Sequence, residues 1–216
     1  MKEAFSSIYL GWRPPTSEDR YLIGLITKQA DKLTFSYIYD EVMKAARRGF
    51  FPYIEFRDTS KTYDEYVLEI FAQRLTPKSR YKTSPVFKFW EISESILEDR
   101  LATLAFTQAM LPTDNFEFLA DFHPRKGLTF ITDLIDLSLL PGALLAEGDQ
   151  LTWERKTSED GLEQQIIVSY ENQKVGQVKR VHSNVFNTYE GNIRLRVHST
   201  EKKESLRKAF VKIELL

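Results

Sequence analysis

Short-range alternation is the feature that most limits what this chain can fold into. Leu33, Phe35, Tyr37 and Tyr39 alternate with smaller or polar residues. Phe116, Phe118, Ala120 and Phe122 interleave with Glu117, Leu119 and Asp121. A period of two turns one set of side chains to one face of a pleated strand, so these runs predict half-buried β-strands. Further strands are predicted at 150–155, 164–170, 175–180, 193–197 and 209–215. Short strands at this spacing favour a small sandwich or barrel. The apolar run RYLIGLITK at 20–28, joined through the short polar connection at 30–32 to the run starting at Leu33, predicts a hairpin. A second turn signal stands at Asn172-Gln173-Lys174.

Helical signals are fewer. Asp40 is placed to cap a short helix, EVMKAARR, with Arg47 and Arg48 at its end and Gly49 as a left-handed stop. The aromatic stretch FFPYIEF at 50–56 reads as extended, and Pro52 makes it an edge or irregular strand. A longer helix is predicted from Ser93 to Met110: Ser95 and Glu98 fit a capping box, Leu97, Leu101, Leu104 and Ala105 recur near helical spacing, and Pro112 follows. The chain therefore reads as α+β, with a small β-rich module carrying a short helix at 1–90, a linking helix at 91–113, and a small β-barrel module at 114–216.

A chain of 216 residues buries enough surface to fold without staples, and it has no Cys. That excludes a disulfide scaffold, a cysteine nucleophile, an Fe–S cluster and a Cys-based zinc site. The first twenty residues lack a sustained apolar core, and no run of about 18 apolar residues occurs. The expectation is a cytoplasmic protein that engages no membrane. The net charge of -1 hides an asymmetry. From Glu91 to Gln150 there are 11 acids and 3 bases, whereas from Lys174 to Lys212 there are 10 bases and 3 acids. The basic stretch is either a solvated face on alternating strands or a docking surface for nucleic acid or an acidic partner.

Catalytic patterns are missing from the sequence. It has no Gly-rich phosphate loop, no kinase catalytic-loop or magnesium-loop pattern and no Ser nucleophile elbow. His123, His182 and His198 lack ligand-type spacing. Asp133 and Asp136 could share a helical face, but acids at such spacing are ordinary surface residues. The run PYIEFRDTSK at 52–61 approaches an acid-acid-lysine nuclease pattern, yet Arg57 stands where Lys is needed. The reading is a binding module rather than an enzyme, with no cofactor and no metal.

Two regions carry a resemblance. Gly148-Asp149-Gln150-Leu151-Thr152-Trp153-Glu154-Arg155 resembles the opening strand of a HIRAN domain, a small β-barrel module of some DNA-repair helicases and bacterial proteins. Ile166 to Val168, then Asn172, Val175, Gly176, Val178, Arg180 and His182-Ser183, resemble that family's next hairpin. The first segment is similar to the N-terminal subdomain of HipA-type toxin kinases, on Ile23-Gly24-Leu25-Ile26, the strand Leu33 to Tyr39, and Phe51-Pro52. Phe71-Ala72-Gln73-Arg74-Leu75-Thr76-Pro77 resembles a piece of HIRAN proteins that sit beside split HipA-like kinases. The kinase core itself is absent from the sequence.

The resemblance implies a non-catalytic antitoxin-like partner of a HipA-family Ser/Thr kinase toxin, in a complex that could include a separate DNA-binding protein. The aromatic density of the first segment points to Phe51, Tyr53 and Phe56, with Arg47, Arg48 and Arg57, as partner-binding residues. The alternative is a DNA-binding HIRAN protein of repair or phage defence, using Arg155, Lys179, Arg180, Arg194 and Arg196. Against it, the family's 3′-end-binding loop carries a stacking Tyr and a hydroxyl-binding Asp. Here Gly161 and Leu162 stand at those positions, in a loop made acidic by Glu159, Asp160 and Glu163.

Overall fold

The computed structural model describes residues 4–15, 17, 19–29, 32–111, 113–138, 145–158, 161, 163–202 and 206–216, with the backbone alone at 29 and 202. The chain is α+β and divides into two compact units, Met1–Asp121 and Phe122–Leu216. Among the described residues no helix is long and apolar enough to cross a membrane.

The first unit contains β1 (Phe5–Trp12), β2 (Tyr21–Gln29), β3 (Lys32–Tyr37), α1 (Tyr39–Ala46), β4 (Thr62–Tyr63), α2 (Val67–Phe71), α3 (Pro85–Phe89), α4 (Glu94–Leu97), α5 (Arg100–Thr107) and β5 (Phe116–Phe122). The sheet order is β4-β3-β2-β1-β5. The expected hairpin is present: β2 and β3 pair antiparallel with Ile26 opposite Phe35 and Gly24 opposite Tyr37. The Phe35 ring lies over Gly24, where a Cβ would come 2.5 Å from the ring edge, so only glycine leaves room. Phe35 is the hub of an aromatic core, with ring centroids 4.9 Å from Tyr37 and 5.1 Å from both Phe56 and Phe71. Ring pairs at this spacing add to the stabilisation from buried area alone.

Several expectations are corrected in this unit. Tyr39 does not continue the strand; it opens α1, which has Ile38 at its N-cap and no side-chain cap. Asp40 lies inside the first turn, where its charge suits the dipole but it caps nothing. The helix ends as expected, with Gly49 at φ +92°. Residues 50–56 form no strand. Their amides are spent locally: Phe50 N–H donates to the Ala45 carbonyl at 3.1 Å, Tyr53 N–H to the Tyr37 hydroxyl at 3.0 Å, and Phe56 N–H to the Tyr53 carbonyl at 3.0 Å. The helix expected from Ser93 to Met110 is two, because Asp99 is extended and its carboxylate accepts from the amides of Leu101 and Ala102 at 2.8 and 3.1 Å. Ser95 sits within α4 rather than capping it, and Pro112 lies outside the described residues. β5, expected with the C-terminal strands, joins the first unit's sheet beside β1, so the compact division falls at Asp121/Phe122 and α4 and α5 lie within the first unit.

The second unit contains β6 (Thr129–Ile135), β7 (Gln150–Thr157), β8 (Gln164–Tyr170), β9 (Gln173–Val178), α6 (Arg180–Thr188), β10 (Ile193–Lys202) and β11 (Leu206–Leu215). The strands follow the order β10-β11-β6-β9-β8-β7, each antiparallel to its neighbour, and β7 also pairs β10 at Leu195↔Leu151 and Arg196↔Gln150. The β8–β9 turn is two residues long, with Glu171 and Asn172 at φ 46° and 64°, the left-handed pair a tight hairpin needs. Leu151, Ile166, Val168, Val175, Leu195, Val197, Val211 and Ile213 are buried. Trp153 is half-buried and meets the Phe186 ring edge-to-face at 5.0 Å. At Gly176 a Cβ would stand 2.8 Å from the Ile135 carbonyl oxygen, so the glycine permits a close backbone approach. Asp133 and Asp136 do not share a helix: Asp133 is in β6 and Asp136 follows it with φ 48°. The strand expected at 175–180 stops at Val178, and α6 begins at Arg180.

Candidate interaction site

α1 buries Val42 and Ala45 and leaves Tyr39 and Met43, one turn apart, 65% and 44% exposed. Beyond Gly49 the loop is pinned by two inward rings. Phe50 packs on Trp12 at 5.5 Å, and Phe56 is closed against Phe35 and Phe71. Between these anchors Phe51 and Ile54 are 81% and 66% exposed. Residues 39–54 thus bring four large apolar side chains to solvent, with Tyr66, Val86 and Leu216 exposed elsewhere along the chain.

The partner-binding residues read from the sequence divide. Phe51 is outward, as the reading requires. Phe56 is buried and Tyr53 is half-buried, so these two belong to the core. The Tyr53 ring lies 4.9 Å from Phe116 and 5.3 Å from Phe71, and burial pushes its phenol pKa up. Arg47, Arg48 and Arg57 are exposed, and Arg48 lies 3.5 Å from Asp19. Tyr39, Met43 and Ile54 were not anticipated. The signal for the first two is the i, i+4 spacing beside the buried pair Val42 and Ala45.

Arg74, at the centre of the run from Phe71 to Pro77, holds this region from inside. Its guanidinium grips Asp114 with two bonds, at 2.5 and 2.8 Å, and donates to the Tyr53 hydroxyl at 3.1 Å and the Ala109 carbonyl at 3.1 Å. It also lies over the Phe116 and Phe118 rings at 5.8 and 5.5 Å. A planar fork that is stacked and bidentate suits this role as no ammonium would.

In the second unit the nucleic-acid candidates are less available than their sequence implies. Lys179 is buried and paired with the Asp133 carboxylate, so it faces no phosphate. Arg180 pairs with Glu163 at 3.0 Å. Arg194 and Arg196 both approach Glu214, each at 3.9 Å. Arg155 donates to the Phe186 carbonyl and stacks over Trp153 at 5.5 Å. Gly161 is exposed at φ +75°, while Glu159, Asp160 and Leu162 lie outside the described residues, as do Lys203 and the Lys202 side chain.

Close to Lys179 is a polar cluster on no solvent-facing surface. His182 Nδ1 shares a 2.9 Å hydrogen bond with the Thr132 hydroxyl. Its ring sits between Phe122 and Phe130, at 5.8 and 5.2 Å, and Nε2 has no hydrogen-bond partner among the described residues. Burial, together with the Lys179 charge, drives its pKa down to about 3 against the opposing pull of Asp133. The imidazole is therefore neutral at physiological pH and shut away from any substrate. His123 is exposed and His198 is on β10. Among the described residues no three His, Asp or Glu side chains group as a metal would need. No family model, curated protein or solved structure matches the chain.

Proposed function

We propose that the chain is a non-catalytic interaction protein, an antitoxin-like partner of a HipA-family Ser/Thr kinase toxin. The observation that carries this reading is the exposed apolar set Tyr39, Met43, Phe51 and Ile54 on the first unit. Large apolar side chains with cations in the same stretch are the composition of interface centres and rims. The resemblance of the first segment to a HipA N-terminal subdomain supplies the partner: a kinase lacking that subdomain. Gly24, in the strand that carries that resemblance, lies under the Phe35 ring, and Arg74, in the piece that resembles HIRAN proteins beside split HipA-like kinases, grips Asp114. The second unit is read as a small closed barrel of HIRAN type, supported by the six-strand order and the β7–β10 pairing.

The nucleic-acid reading has thinner support. Four of its five cations face carboxylates, and one of these is buried. Phosphate affinity scales with the number of cations free to displace counterions. Purification of the native complex, followed by mass identification, tests the proposal. A HipA-like kinase in stoichiometric amount is the expected result. Elution as the single chain, or with nucleic acid alone, overturns it.

A further inference from the structure

The chain has no cysteine, so the thioethers of its three methionines are its only sulfur groups. Met43 is 44% exposed on α1, one turn from the exposed Tyr39. Met110 is half-buried, and Met1 lies outside the described residues. A peroxide must reach a sulfur to oxidise it, so among the described residues Met43 is the thioether most open to attack. We propose that Met43 is an oxidation site whose conversion to the sulfoxide switches off the apolar surface at 39–54. The inference rests on the reading of that surface as the partner site.

In the step, the sulfur attacks one oxygen of hydrogen peroxide. An S–O bond forms and the O–O bond breaks. The departing hydroxide takes the proton of the transferred oxygen and leaves as water. The sulfur loses two electrons, and the peroxide gains them. An apolar, polarizable side chain thereby becomes a polar one. The effect stays at the surface for two reasons. α1 is anchored by the buried Val42 and Ala45, while Met43 faces solvent. The loop carrying Phe51 and Ile54 is held through Phe50, Tyr53 and Phe56. Oxidation therefore leaves the fold in place and sets a hydrated S=O dipole among the exposed apolar side chains. A partner that seats there must strip that dipole of water, which costs affinity unless a donor meets it. Sulfoxide reduction reverses the change, so the surface can be restored.

In the test, the full chain is treated with hydrogen peroxide, the peroxide is removed with catalase, and sulfoxides are mapped by mass spectrometry of the peptides. Met43 should oxidise at least about fivefold faster than Met110, at an unchanged melting temperature. The treated chain should bind a HipA-family kinase lacking its N-terminal subdomain at least about tenfold more weakly. Methionine sulfoxide reductases, supplied with a thiol reductant, should restore the affinity. In Met43→Leu, treatment should leave the variant's own affinity where it stood. Oxidation of Met110 as fast as Met43, undiminished binding by the chain oxidised at Met43, or an equal loss on treating Met43→Leu would each overturn the proposal. Absence of binding by the untreated chain would instead overturn the interaction reading, and the switch with it. The peptide map, made without the kinase, tells the two failures apart.

Discussion

A neutral imidazole enclosed by Phe122, Phe130 and Thr132 makes the stability of the second unit depend on pH. His182 has its pKa held down to about 3 when folded, against an ordinary 6.5. Between those values the unfolded chain binds a proton that the folded chain refuses. His182 therefore gives its full contribution above pH 6.5, which is lost as pH falls towards 3. The slope approaches about 1.4 kcal/mol per pH unit below that range's upper end. Urea midpoints at pH 7.5 and pH 5 should fall more steeply in the wild type than in His182→Leu; parallel falls would contradict the assignment. At Arg74, truncation to Met strands the partly buried Asp114 and should cost about 3 kcal/mol. Arg74→Lys should recover less than half of that, read by chemical denaturation, because an ammonium cannot reproduce the fork. These residues differ in how far sequence reveals them. Gly24 and Gly176 stand out within apolar strands, where a missing side chain signals close approach. Lys179 cannot be told from its neighbour Arg180 along the chain. Only the fold shows that Asp133 reaches one and Glu163 the other.

Among the elements, a single carboxylate decides whether residues 93–107 form one helix or two. Asp99 ends α4 and starts α5 by taking the Leu101 and Ala102 amides. Asp99→Ala should destabilise the first unit by about 1 kcal/mol, with weaker hydrogen-exchange protection of those two amides. Faster exchange elsewhere but not there would place the cap wrongly. The apolar spacing around Leu97 and Leu101 is continuous across this break, so periodicity alone predicts one helix. The β2–β3 hairpin is legible from an apolar run and an alternating run across a short polar connection, whereas the β8–β9 turn falls at Glu171-Asn172 and the expected turn residues Gln173 and Lys174 open β9. β1 and β6 are not legible, for opposite reasons. β1 buries Ile8, Leu10 and Trp12 in a stretch with two serines and a glycine. β6 is buried at five consecutive positions from Phe130 to Leu134, so it loses the alternation that marks a half-exposed strand. α6 hides behind Val175 to Val178, whose strand pattern runs on into Val181 before Val185 and Phe186 establish the helical period.

At the scale of the whole molecule, the exposed apolar side chains at 39–54 lie in the first unit, while in the second Lys179 is buried and Arg180, Arg194 and Arg196 lie beside carboxylates. Of the apolar side chains that residues 39–54 leave exposed, the sequence reading named only Phe51. Aromatic density cannot separate Tyr53 and Phe56, which build the core, from Phe51 and Ile54, which the same loop turns outward. Because Tyr39 and Phe51 are largely solvated, replacing both with Ser should change stability by no more than about 0.5 kcal/mol each. A buried interface anchor, by contrast, typically costs about 2 kcal/mol or more on truncation. The decisive measurement is calorimetric titration of a HipA-family kinase lacking its N-terminal subdomain with the wild-type chain, with Tyr39→Ser/Phe51→Ser, and with Arg194→Glu/Arg196→Glu. The first double variant should bind at least tenfold more weakly at an unchanged melting temperature, while the second should bind like the wild type. Undiminished binding by Tyr39→Ser/Phe51→Ser, with loss of binding in Arg194→Glu/Arg196→Glu, would contradict this reading.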